Sequence, residues 1–211
     1  MIISHKKKFI FFACGKTGTT SIEKILKKYH DDKFIVENIE KELELLRKQN
    51  SKPYHLKHVR PSFVKKYVDK EIWDEYFKFT FVRNPWDWVY SQFCYNYKYL
   101  INKTLKFEDV HVDAIWYMLK IFDQSDDNEG YYQHPFAYSE DGSLLVDFVG
   151  RFENLQNDFN RICKIIGIKA KNLPHMNKTI HSEYKNLYSQ EAKKLVDKYY
   201  KKDIELFKYD F

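Results

Sequence analysis

Cysteine is scarce and scattered in this chain. Cys14, Cys94 and Cys163 lie far apart with no CxxC pair. That excludes a disulfide framework and a zinc knuckle, and it suits a reducing compartment. HxxxH spacing is absent and no carboxylate cluster calls for zinc, so no metal is expected. Long apolar runs are missing too. The densest run near the start, Phe9 to Cys14, follows Lys6, Lys7 and Lys8. It is too short for a signal-peptide core, and no small-residue cleavage site follows it. No run approaches the ~18 residues of a membrane span. The expectation is a soluble, cytoplasmic protein without a membrane span. Internal repeats, Pro-rich linkers and Ser/Gly tracts are also absent, so residues 1–211 should form one domain around one core. Charge of one sign is only mildly in excess: 36 Lys and Arg against 30 Asp and Glu leave +6. These cations are spread along the chain rather than striped, and no recognised nucleic-acid module occurs. They fit an anionic ligand such as a nucleotide better than a nucleic acid.

What is present is a chain able to fold, 44% hydrophobic and 18% aromatic. Phe9 to Ala13 reads as a buried strand bounded by lysines and Gly15. A helix should begin near Thr20, with Thr20 and Glu23 at capping-box spacing and Ile22, Ile25, Leu26 and Tyr29 on one face. Glu37 to Gln49 is a second amphipathic helix with Ile39, Leu43 and Leu46 inward. Pro61 suits a first helical position. Lys78 to Val82 reads as another buried strand, followed by Asn84 as N-cap and Pro85 as first residue of a helix running through Ser91. Phe107 to Phe122 is helical by period. Ser125 to Ser143 reads as a loop, Leu144 to Val149 as a strand, and Glu153 to Ile166 as a helix. A last helix starts near Ser189 and carries Leu195, Val196, Tyr199 and Phe207. Strands alternating with helices predict an α/β fold, a central, mainly parallel sheet flanked by helices. Ligands of such sheets sit at the carboxyl ends of the strands.

Two stretches carry the chemistry. The first, CGKTGTTS from Cys14 to Ser21, follows a strand and opens a helix, the context of a phosphate cradle. Gly15 and Gly18 allow close backbone approach. Lys16 adds a full charge, and Thr17, Thr19, Thr20 and Ser21 supply hydroxyls and N–H donors. The stretch departs from a Walker A loop, which would need glycine at Ile10. The next buried strand ends in Arg83 rather than an aspartate, which disfavours a magnesium-dependent nucleotidase. The second stretch, FTFVRNPWDWVYSQF from Phe79 to Phe93, sets Arg83 at a strand end and Ser91 two turns into a helix. Both suit one phosphate, Arg83 through its planar fork. Arg83 in an ion pair and Ser91 as an ordinary helical serine is the competing reading.

Together these motifs resemble the PAPS-dependent sulfotransferases, in their carbohydrate-type, family 2-like branch. CGKTGTTS is similar to the loop that binds the 5′-phosphosulfate of 3′-phosphoadenosine 5′-phosphosulfate (PAPS). Arg83, Pro85 and Ser91 are similar to the 3′-phosphate motif. EIWDEYFKFTFVRNPWDWVYS, VGRFENLQNDF, LPHMNKT and the closing DIELFKYDF extend the resemblance along nearly the whole chain. Trp88 departs from it, since relatives often carry a basic residue there, and this bears on the acceptor side.

The resemblance implies a P-loop-like fold and transfer of a sulfuryl group from PAPS to an acceptor hydroxyl, on a carbohydrate or glycoconjugate, without a metal. A base is needed because a neutral hydroxyl is a poor nucleophile, and histidine titrates in the right range. By position between the two nucleotide motifs, His58 matches the family base, with His55 as competitor. Lys178 in LPHMNKT matches a late basic loop over the 3′-phosphate. Arg151 and Glu153 are expected to join the last strand to its helix, and Trp73, Tyr76, Trp86 and Phe93 to pack the core. The rival readings are a P-loop phosphotransferase binding ATP with magnesium, and a non-catalytic nucleotide-binding module. The acceptor's identity and the oligomeric state are not legible.

Overall fold

Phe9, Ile10, Phe11 and Phe12 have no solvent exposure, and four consecutive apolar residues with lysines before them make a strand covered on both faces. The computed structural model describes residues 1–32, 34–50, 56–101, 132–174 and 184–211. The described chain forms two compact units.

The first unit comprises Met1–Val82 and Pro135–Met176. Its sheet has strands β1 (Ile2–Ser4), β2 (Phe9–Phe12), β3 (Phe77–Val82) and β4 (Phe148–Arg151) in that spatial order. β2, β3 and β4 are parallel, with Phe12 opposite Thr80 and Val82 opposite Arg151. β1 pairs antiparallel with β2 across a lysine-bearing turn. Helices α1 (Thr19–Leu26), α2 (Phe34–Asn50), α3 (Pro61–Val64), α4 (Lys70–Glu75) and α6 (Leu155–Ile165, after α5 below) complete the unit. Ile22, Ile25 and Leu26 of α1 and Phe159 and Ile162 of α6 share one core with Phe9, Phe11, Phe79 and Phe81. Phe11 stacks on Phe79 at 5.1 Å. Each such buried ring contributes roughly 1.5–3 kcal/mol. Phe12, of opposite parity in β2, meets Trp73 of α4 at 6.3 Å, so helices lie on both faces of the sheet. This is the expected α/β fold.

The second unit comprises Arg83–His134 and Asn177–Phe211. Its helices are α5 (Pro85–Ile101), α7 (Gln190–Tyr199) and α8 (Lys201–Phe207). Trp86, Trp88 and Tyr90 of α5 pack with Ala192 and Val196 of α7 and with Tyr200. Asn84 caps α5: its Oδ1 accepts from the Trp86 N–H at 3.1 Å. Ser189 caps α7, its Oγ accepting from the Ala192 N–H at 3.1 Å. Asn84 is the cap expected, the helix start near Ser189 is where it was expected, and Pro61 and Pro85 open α3 and α5.

Four expectations need correction. The Thr20–Glu23 capping box does not form: α1 starts at Thr19, and its N-cap is Gly18, with φ 79° and no side-chain cap. The last strand is Phe148–Arg151 rather than Leu144–Val149. Register with β3 decides this, because Gly150 lies over the Phe81 ring, where a Cβ would come within 2.4 Å. The helix expected from Glu153 begins as a 3₁₀ turn, Phe152–Asn154, before α6. The last helix is two helices, broken at Tyr200, whose buried ring meets Trp88 and Tyr132. Strand β1 was not anticipated. The predicted helix 107–122 and the start of the loop 125–143 lie outside the described residues.

Candidate functional site

The loop between β2 and α1 is built by backbone conformation. Lys16 has φ 62° and Gly18 φ 79°, two left-handed residues around Thr17. The Thr17 hydroxyl donates to the Cys14 carbonyl at 2.8 Å and closes the turn. Gly18 packs on Leu155, where a Cβ would lie 2.7 Å from Cδ2. The α1 backbone begins there, with the Gly18 carbonyl accepting from the Ser21 and Ile22 N–H groups. The N–H groups of Gly18, Thr19 and Thr20 have no acceptor among the described residues. First-turn donors of this kind are anion-binding groups. Ser21 is engaged elsewhere: its hydroxyl donates to the Pro174 carbonyl at 2.7 Å, holding the start of LPHMNKT to α1. Gly15 and Lys16 are partly exposed and Thr19 is buried.

His58, on the 3₁₀ turn Leu56–His58, belongs to the same unit as this loop. Its Nδ1–H donates to the Ala13 carbonyl at 2.7 Å. A carbonyl only accepts, so Nδ1 holds the proton and Nε2 carries the lone pair of the neutral ring. A Cβ on Gly15 would lie 3.8 Å from His58 Cε1, so the imidazole stands against the loop. Burial pushes its pKa below the ordinary value of 6.5, outweighing the Ala13 hydrogen bond, which favours the protonated ring. The neutral ring with an available Nε2 is the form a general base requires.

In the other unit, Arg83 follows β3 in the chain and is buried. Its Nε and Nη2 donate to the Asp87 carboxylate at 2.7 and 2.9 Å. Ser91, also buried, stands four residues beyond Asp87 on the same stripe of α5. The main chain of Arg83 is held as well. Its N–H donates to Gln133 Oε1 at 2.7 Å, and its carbonyl accepts from Gln133 Nε2 at 2.8 Å. Gln133 is anchored in turn by Asp203, whose Oδ2 accepts the Gln133 N–H at 2.8 Å. Asp203 Oδ1 takes the His134 N–H and Nδ1–H at 2.8 and 2.6 Å. Sequence reasoning missed Gln133, His134 and Asp203, since no local signal links them. Asp87 was detectable, at i,i+4 from Arg83.

Of the remaining candidates, His55 and Lys178 lie outside the described residues. Arg151 donates its N–H to Asp158 Oδ2 of α6 at 2.8 Å, in keeping with a joint between strand and helix. Trp73, Tyr76, Trp86 and Phe93 are buried. Among the described residues no three His, Cys, Asp or Glu side chains form a metal-binding group, and no helix is long and apolar enough to cross a membrane.

A model described as the sulfotransferase family matches residues 1–210. The chain belongs to the sulfotransferase family. Its P-loop-like α/β fold agrees with that membership, and the family implies sulfuryl transfer from a sulfate donor to an acceptor hydroxyl. A protein of Archaeoglobus fulgidus, described as uncharacterized, is 30% identical over 120 residues, 57% of this chain and 92% of that protein. No solved structure matches this sulfotransferase.

Proposed function

We propose that this sulfotransferase takes its sulfuryl group from PAPS and delivers it to a carbohydrate hydroxyl, with residues 1–211 acting as one catalytic domain in a reducing, cytoplasmic setting. The observation that carries the reading is His58, a neutral imidazole with its proton on Nδ1, standing against an anion-binding loop. In this reading Gly15, Thr17, Gly18, Thr19, Thr20 and Ser21 shape the loop, whose N–H groups and Lys16 take the 5′ phosphosulfate. Arg83 and Ser91 take the 3′-phosphate, with Lys178 closing over it. No metal takes part.

The chemistry is an in-line displacement. Nε2 of His58 removes the acceptor's proton. The acceptor oxygen bonds to sulfur as the sulfur–oxygen bond to the 5′-phosphate breaks. Lys16 and the loop N–H groups stabilise the charge that grows on that phosphate oxygen, the preorganised electrostatics that dominate such reactions.

Calorimetry with 3′-phosphoadenosine 5′-phosphate and with ATP and magnesium tests the donor, beside turnover of PAPS with carbohydrate acceptors. The expected result is preference for the 3′-phosphorylated nucleotide and transfer to sugar hydroxyls. Preference for ATP would return the phosphotransferase reading. Tight nucleotide binding without turnover on any acceptor would return the binding module.

A further inference from the structure

We propose that Gln133 and Asp203 are positioning residues for Arg83, setting this chain's ability to distinguish a 3′-phosphorylated nucleotide from one without that phosphate. The inference rests on the reading that Arg83 takes the 3′-phosphate. One carboxamide, that of Gln133, satisfies both main-chain polar groups of Arg83, as a neighbouring strand would. Gln133 is completely buried, so water cannot replace it at either group. Its own N–H is fixed by Asp203, a completely buried carboxylate of α8. Asp203 accepts three hydrogen bonds, from the Gln133 N–H and from the N–H and ring of His134. Such a fully satisfied polar network is rigid, and a partly satisfied one is costly. The guanidinium at the far end of Arg83 is aimed by Asp87. Main chain and side chain are thus held from opposite ends, and a planar fork delivers its selectivity only when its direction is set in advance.

The test measures affinities for 3′-phosphoadenosine 5′-phosphate and adenosine 5′-phosphate in the full chain and in Arg83→Ala, Gln133→Met and Asp203→Asn. Methionine keeps the volume of glutamine and removes both contacts. Gln133→Met is expected to lower the preference for the 3′-phosphorylated nucleotide by about tenfold, leaving the affinity for adenosine 5′-phosphate near that of the unmodified chain. A role in folding alone would move both affinities together. Asp203→Asn is expected to give a smaller loss of the same kind. Amide exchange at Arg83 in the unmodified protein needs no variant to fold, and it should be as slow as in β3. A preference intact in Arg83→Ala would overturn the reading of Arg83, and this proposal with it. Preference lost in Arg83→Ala but kept in folded Gln133→Met, or fast exchange at Arg83, would overturn the positioning role alone.

Discussion

Replacing His58 by alanine separates catalysis from folding because the two effects differ in size. Among the described residues the ring makes one hydrogen bond, to the Ala13 carbonyl. Leaving a buried acceptor unpaired costs about 1–3 kcal/mol, and at this partly open position water can take the vacated place, so the lower end applies. Loss of a general base costs about 10²–10⁴ in rate, or about 3–5 kcal/mol of barrier. His58→Ala should therefore stay folded, bind 3′-phosphoadenosine 5′-phosphate as the unmodified chain does, and lose at least about a hundredfold in turnover. Calorimetry and a radiolabelled sulfate-transfer assay measure the two arms. The pH dependence is a second readout. Burial holds the imidazole below 6.5, so the active neutral form prevails above that value and is lost as pH falls through the folded pKa. Turnover should be level from neutrality upward and fall on an acid limb centred below 6.5. Stability linked to this group follows the same sign, present above its ordinary pKa and lost on acidification. Near-normal turnover in His58→Ala, or a limb centred above 6.5, would refute the reasoning and turn attention to His55.

Three further outcomes are expected. Lys16→Ala should lower turnover about 10²–10³-fold, with a smaller change in nucleotide affinity, read from steady-state kinetics. Gly150→Ala should destabilise by about 1–3 kcal/mol through overpacking, since the new methyl would meet the Phe81 ring; urea unfolding checks it. Ser189→Ala should cost about 1 kcal/mol by removing the α7 cap, seen as a lower Tm.

Elements with local chemistry were legible. Phe9–Phe12 announces itself as an apolar run, Lys78 to Val82 reads as a strand one residue short of the observed Phe77–Val82, and Pro61, Pro85, Asn84 and Ser189 mark helix starts through fixed φ or a capping oxygen. Failures arose where a distant partner decides. The apolar residues Leu144 to Val146 attracted the strand assignment, but pairing with β3 moved it to Phe148–Arg151. Helix α1 begins one residue early because Gly18 turns left-handed against Leu155, more than a hundred residues away. The break falls at Tyr200, whose ring meets Trp88 and Tyr132, far away in the chain. In the candidate site, the loop could be picked out from its glycines, lysine and hydroxyls between a strand and a helix, and His58 only through the resemblance to the family. The carboxamide of Gln133 reaches Arg83 across 50 residues and Asp203 reaches Gln133 across 70, distances at which no sequence pattern operates.

The left-handed backbone at Lys16 carries a consequence for how this chain can change. A side chain at positive φ costs about 1–2 kcal/mol relative to ordinary backbone, and glycine escapes that penalty at an entropic cost of about 0.5–1 kcal/mol. Glycine at position 16 would leave the molecule slightly hardier to heat and strip the loop of its ammonium. Thermal endurance and turnover pull against each other at this one residue, so a screen for heat resistance alone would favour discarding the lysine.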